Sequence, residues 1–460
     1  MAIILKGGTI VSASGRRQLD LRMADELIQE IGFELRPECD DQVVDVRGHY
    51  ILPGFIDAHT HFELNNGVTG TADNFTTSSR GAIVGGTTSI IDFATPEPGG
   101  TLKDCLAEWN RLAQDKTSCD YSYHMTLIEW NTEVEAEMDS MIEEGITSFK
   151  MYMAYDNLRA SDADIFEAML AIRKRRGMLG IHCENGDMVN ELIKKTRAEG
   201  HLSPHYHPLS RPPAVEAEAV ERYLMMAEQA DLPVNIVHLS AQRSLEAVIR
   251  ARGRGQKVFV ETCPHYLVLD DSLYDSPGFE GAKYVCSPPL RKKSDQEYLW
   301  QNIITDQVDT ISTDHCSFNF KGQKELGMTD FSQIPNGLPG VETRPTLIYS
   351  YGVATGRISL EKMVDLLSEK IARQYGMFPQ KGILQVGSHA DVVVWNPQGE
   401  GVISVKTLEQ AVDYTPFEGF QTVGKPHQVY LRGQLVAEDG QVIQSKKGRF
   451  ISRGSSDWTC

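Results

Sequence analysis

FIDAHTHFELNNG, residues 55–67, sets an apolar run against a polar end that carries His59 and His61 two positions apart. In an extended strand, residues i and i+2 share a face, so both imidazoles and Asp57 point the same way. The stretch has two readings: the polar end of an ordinary buried strand, or one arm of a metal grip. The choice turns on what the rest of the chain sets beside it.

Seven more apolar runs follow: TTSIIDFA (87–94), DYSYHMTLIE (120–129), ITSFKMYMA (146–154), LGIHCEN (179–185), PVNIVHLS (233–240), VFVETCPHYL (258–267) and VDTISTDH (308–315). Helical periods separate most of them. PAVEAEAVERYLMMAEQA (213–230) repeats its apolar residues at three and four, and SDADIFEAMLAIRKRR (161–176) opens on Ser161 as an N-cap. Eight strands alternating with helices predict an α/β protein with a (β/α)8 barrel. Residues 1–50 read instead as short strands split by glycines and acids, and ADVVVWNP and QVYLRGQLVAEDGQVI give the far end the same texture. Two β-rich ends around a different middle predict a small β-sandwich domain of residues 1–52 and 378–460 beside a barrel of 53–377. A chain of 460 residues is also longer than one core usually supports. SPHYHPLSRPP (203–213) is too rich in proline for a helix and reads as an ordered loop. The segment 316–341 has no period and reads as a long loop at the active site.

The net charge of -18 argues against nucleic acid or an anionic membrane surface as partner. No apolar run reaches the roughly 18 residues of a membrane span. The start, MAIILKGGTIVSASG, lacks the basic region and long apolar run of a secretory leader. The eight cysteines are dispersed, with no C-x-x-C pair, and read as reduced thiols of a cytoplasmic protein. Without a secretory context, the glycosylation-like NFT at Asn74 reads as chance.

In a barrel of this kind chemistry sits at the C-terminal ends of the strands. There the chain places His59, His61, Lys150, His182, His238 and Asp314. One histidine at a strand end is more often hydrogen-bonded than ligating, but four with an aspartate and a lysine point to metal. Asp57 has the parity to orient one of the ligands from behind. Lys150, in SFKMYMA, lies within a buried strand and must be paired, deprotonated or modified. Two readings stay open on the residues alone. One is an ion pair with an acid of a neighbouring strand. The other is a carbamate, formed from the neutral amine and carbon dioxide, that bridges two divalent cations.

GFIDAHTHF, SFKMYMAY, IHCEN, IVHLS, ETCPHYL, SPPLR, STDH and IPNGLPGVETR, in this order, resemble the cyclic amidohydrolases, above all the D-hydantoinase and dihydropyrimidinase family. The resemblance spans essentially the whole chain, including the terminal KGGTIV and GSHADVVVWNP. It implies that His59, His61 and Asp314 hold the more buried of two divalent ions, and His182 and His238 the more exposed one. Lys150, as N6-carboxylysine, bridges them. Zinc is the expected metal, with manganese or cobalt as alternatives. Tyr155 is implied to bind the substrate carbonyl and stabilise the oxyanion, Ser287 and Asn336 to hold the ring amide, and Asp314 to carry the proton. The implied reaction opens the ring of a small cyclic ureide, a hydantoin or dihydropyrimidine, to an N-carbamoyl amino acid. A homotetramer is implied as well, and VDYTPFEGF (412–420) resembles a segment that packs against a partner subunit.

Glu63 stands where dihydroorotase-like enzymes carry an arginine for a substrate carboxylate, which counts against that activity. His265, in ETCPHYL, resembles the allantoinases and makes allantoinase the alternative, while the Tyr155 segment favours the hydantoinases. TADNF (71–75) departs from a more usual acidic pair in a region expected to form substrate-gating loops. Leu64, Phe93 and Tyr152 are candidate walls for the exocyclic substituent, or simply packing. The reading from another class is a scaffold protein of the same fold that has lost its ligands. All six ligand positions are filled here, which counts against it.

Overall fold

Eight parallel strands run in chain order through one sheet of the computed structural model, which describes residues 2–65 and 67–458. They are β1 (Phe55–Thr60), β2 (Thr87–Ala94), β3 (Asp120–Thr126), β4 (Ser148–Tyr152), β5 (Met178–His182), β6 (Val234–Ile236), β7 (Val258–Thr262) and β8 (Thr310–Ile311). Both faces of these strands are covered, so they read as unbroken apolar runs rather than alternating ones. Thr60 bridges His315 in parallel, and the His61 N–H donates to the His315 carbonyl at 2.8 Å, which closes the sheet into a barrel. Two buried side chains sew the seam. Arg344 donates to Ile56 O (2.7 Å) and Ile311 O (2.9 Å), while Asp57 accepts from the Thr313 N–H (3.0 Å) and hydroxyl (2.7 Å).

The helices fall where the periods place them. One spans Asp162–Lys174, with Ser161 Oγ accepting the Asp164 N–H at 3.1 Å, and another spans Pro213–Ala230. Several strands are shorter than their apolar runs. β7 stops at Thr262 because Pro264 starts the helix Pro264–Val268. β6 and β8 stop before His238 and Asp314, which take left-handed backbone angles. The loop expected at 203–213 contains one helical turn, Tyr206–Leu209, and 316–341 holds only the short turns Lys324–Gly327 and Phe331–Gln333.

Both termini build the second body. A four-stranded sheet (Ile3–Lys6, Asp20–Ala24, Leu27–Gly32, Gln42–Asp45) faces a seven-stranded one that joins Thr9–Ser12, Gly15–Gln18 and Tyr50–Pro53 to Val392–Val402 and Gln421–Leu431. Leu5, Leu21, Ile28, Ile51, Val392 and Val394 fill the space between them as a separate core, the arrangement of a β-sandwich. Beyond this sandwich the chain returns to the barrel. The Tyr121 N–H donates to Arg449 O (3.0 Å), and the Ile451 N–H to Tyr121 O (2.7 Å).

Val412, Tyr414 and Phe417 of VDYTPFEGF are buried within their own chain, and Asp413 accepts from the Phe320 and Lys321 N–H groups at 2.5 and 3.0 Å. No helix among the described residues is long and apolar enough to cross a membrane. Seven cysteines are free thiols; Cys460 lies outside the described residues.

Candidate metal centre

His59 and His61 leave the end of β1 with each Nε2 3.1 Å from Asp314 Oδ1. Donor atoms of these three residues lie within 4.8 Å of one another. Behind them, Glu261 on β7 sets Oε1 2.6 Å from His59 Nδ1. The carboxylate takes that ring's N–H, so Nε2 turns its lone pair towards the Asp314 oxygen. A lone pair facing a carboxylate oxygen is repulsive. A proton or a metal ion between them relieves the repulsion, and so this donor set fits a metal ion. Burial opposes charge on His59, but Glu261 and Asp314 prevail and hold its pKa at about 9. The local field therefore favours positive charge. Burial takes His61 down to about 4, which leaves it a neutral nitrogen donor.

A second set repeats the logic. His182, at the end of β5, places Nδ1 3.1 Å from His238 Nε2. Its other nitrogen lies 2.8 Å from Glu184, which Arg211 holds in turn at 2.6 Å. Burial keeps both imidazoles neutral at pH 7 by lowering their pKa values. His182 Nδ1 then presents a lone pair to His238 Nε2, and both neutral nitrogens can serve as metal donors. The His59 and His238 ring centres are 5.3 Å apart, so the two sets form one cluster. Lys150 rises from β4, 1% exposed, with Nζ 4.9 Å from the centre of the Phe93 ring and 5.2 Å from that of Tyr152. It forms no ion pair with a described carboxylate, and burial pulls its pKa down to about 8.

Tyr155, His238 and Asp314 have φ angles of 69°, 39° and 52°. Non-glycine residues pay about 1–2 kcal/mol for this conformation, which persists only where the surroundings enforce it. At Tyr155 the N–H groups of Leu158 and Arg159 return to its carbonyl at 2.9 and 2.8 Å and fix the turn. A cavity of about 250 Å³ opens beside the cluster, lined by His61, Lys150, His182, His238 and Asp314 together with Leu64, Tyr152, Tyr155, Leu158, Ser287, Cys316 and Asn336. Burial pushes the Tyr155 hydroxyl up to about 12, so it remains a donor at neutral pH. Ser287 Oγ is buried beside the Tyr155 hydroxyl.

The structure thus gathers every residue of the expected ligand and substrate sets around one cavity. Other expectations change. Asp57 does not touch an imidazole; it binds Thr313 and the His59 N–H (3.3 Å), and Glu261 orients the ring instead. Phe93 is not a wall but packs beneath the cluster, 4.5 Å from the His59 ring and 4.8 Å from that of His61. In TADNF, Asp73 is buried against Thr77, Ala411 and His315, while Asn74 caps the helix Phe75–Val84, so neither faces the cavity. His265 is buried outside the cavity lining. Glu184, Glu261 and Arg211 went unassigned in the sequence. The signal of the two glutamates was an acid at, or two residues past, the end of a buried strand, whereas Arg211, in the 203–213 segment, carried none.

Barrel and donor cluster together define a metal-binding hydrolase. Residues 50–436 match the Amidohydrolase family model. A D-hydantoinase from Geobacillus stearothermophilus is 43% identical over 98% of this chain and 97% of its own. A D-phenylhydantoinase from Escherichia coli O1:K1 / APEC is 38% identical over 98% of each chain. The crystal structure of dihydropyrimidinase from Brevibacillus agri NCHU1002 superposes with a TM-score of 0.97 at 42% identity, covering 99% of both chains. The chain belongs to the amidohydrolase family, within its D-hydantoinase and dihydropyrimidinase group of cyclic amidohydrolases.

Proposed function

We propose that the enzyme hydrolyses the cyclic amide bond of a hydantoin or dihydropyrimidine and releases an N-carbamoyl amino acid. The observation that carries this is the pair of facing donor sets beside a cavity that also presents Tyr155, Ser287 and Asn336. Two divalent ions, zinc in the first place and manganese or cobalt as alternatives, supply Lewis acidity and an activated water when bound. His59, His61 and Asp314 would hold one ion, and His182 and His238 the other. Lys150 would serve both as its N6-carboxylate, and burial favours the neutral amine that this modification requires.

The remaining work falls to the chain. Asp314 accepts the proton of the attacking water and passes it to the leaving ring nitrogen. The C–N bond breaks, leaving a carboxylate at one end and a ureido group at the other. Tyr155 keeps its proton and donates to the carbonyl oxygen as that atom gains charge. The Ser287 hydroxyl and the main chain about Asn336 hold the ring amide, while Leu64 and Tyr152 wall the space for an exocyclic substituent. A barrel of 53–377, a homotetramer and a cytoplasmic location complete the reading, the last supported by the free thiols.

Ring-opening assays on hydantoin, phenylhydantoin, dihydrouracil and allantoin, with metal analysis of the same sample, test it. Turnover of the first three with close to two ions per chain is expected. Turnover of allantoin alone refutes the substrate, and full activity without metal refutes the mechanism.

A further inference from the structure

Lys324 lies in the segment between β8 and the helix Arg344–Ile348, fully buried and outside the cavity lining. Its Nζ donates to three carbonyls: Val285 O at 2.7 Å, Pro335 O at 2.7 Å and Gly337 O at 2.9 Å. Burial draws its pKa down to about 7. Three acceptors around one nitrogen nevertheless call for three N–H donors, which only the ammonium offers. Such charge-assisted bonds are about twice as strong as neutral ones.

The three carbonyls belong to two separate stretches of chain. Val285 lies two residues before Ser287, and Pro335 and Gly337 flank Asn336. Other side chains grip only the first stretch: His207 Nε2 lies 2.8 Å from Cys286 O, and the Tyr266 hydroxyl donates to Pro288 O at 2.7 Å. The Gly337 N–H reaches Val285 O at 3.1 Å, a single neutral bond across the gap. A side chain at Gly337 is excluded, since its Cβ would lie 2.4 Å from Cys316 O. The second stretch is therefore set closely over the floor of the site, and the Lys324 ammonium is the charged group that binds both.

We propose that Lys324 is a positioning residue that fixes the spacing of the Ser287 and Asn336 segments, and with it the slot that receives the ring amide. This rests on the reading above that those two segments hold that amide. Lys324→Met removes the charge and all three donors at similar length, and it touches no metal ligand. Expected for hydantoin are a KM raised tenfold or more, a kcat within threefold of the parent, and an undiminished metal content. Hydrogen exchange should rise in peptides covering 283–290 and 333–339. Lys324→Gln, which keeps two donors, should fall between the two and serves should the methionine variant not fold. An unchanged KM overturns the proposal, as does a loss of kcat together with metal. Competition by 3-methylhydantoin against the parent enzyme separates the two layers. If it binds as well as hydantoin, the ring-amide reading fails. If it is rejected while Lys324→Met keeps a normal KM, only the role of Lys324 fails.

Discussion

Glu261 and Glu184 each occupy one nitrogen of a histidine and so decide which nitrogen faces the donor cluster. Glu261→Gln keeps the shape but weakens the hold on the His59 N–H. It should lower metal affinity about 10–100-fold, read by chelator competition on folded protein. Tyr155→Phe removes one donor to the developing oxyanion. Its kcat should drop about 10²–10³-fold with the metal content intact, a result that steady-state kinetics and metal analysis check together. The six residues that meet in the cluster were legible because each is a chemically distinctive residue at the end of an apolar run. The carboxylates behind them were not, since which acid meets which ring depends on the stagger of non-adjacent strands. Asp57 illustrates the limit: its parity with His59 is real, yet its neighbour across the barrel seam is Thr313.

At the scale of elements, the sequence marked the strands but not where they end. The run read as 258–267 passes through Pro264, which in fact ends β7, and nothing in PVNIVHLS or VDTISTDH foretells left-handed angles at His238 and Asp314. Loops were least legible, because their contacts lie far away in the chain. Glu342 is an instance, for its carboxylate accepts the Glu409 N–H at 2.9 Å and ties the 409–410 loop to the barrel. Burial raises its pKa from 4.5 to about 8, against the lowering effect of the Glu409 and Gln410 N–H groups. The folded state thus binds this proton more tightly than the unfolded chain does. The associated stability is fully present below about pH 4.5, falls as pH rises, and is gone above about 8. Glu342→Gln keeps an acceptor and removes the titration. The difference in thermal midpoint, variant minus parent, should therefore grow from pH 5 to pH 8. A constant difference would show that Glu342 does not titrate in this range.

For the whole molecule, the β character of both ends was legible as texture, and their union in one sandwich followed from it. The return of the last residues along β3 was not, because ISRGSS carries no strand pattern that singles out Tyr121 as partner. A buried ionic knot joins sandwich and barrel: Lys381 binds Asp391 and, at 2.6 Å, Asp120 of β3, which Arg432 also binds. Such a knot costs desolvation and is weak evidence for stability, although removing one partner is expensive. The metal centre is a different kind of contribution. The ligands proposed for it come from β1, β4, β5 and the turns after β6 and β8, so ions held there would tie more than half of the barrel wall together. A ligand that binds only the folded state at a thousand times its Kd stabilises it by about 4 kcal/mol. Chelation by dipicolinate should therefore lower the thermal midpoint by a few degrees, and added zinc, manganese or cobalt should restore it. Lys150→Ala should start at the lower midpoint and respond to neither treatment. A parent enzyme that ignores the chelator while losing its metal would place the ions outside the fold's stability, and a Lys150→Ala variant that still responds would remove Lys150 from the ligand set.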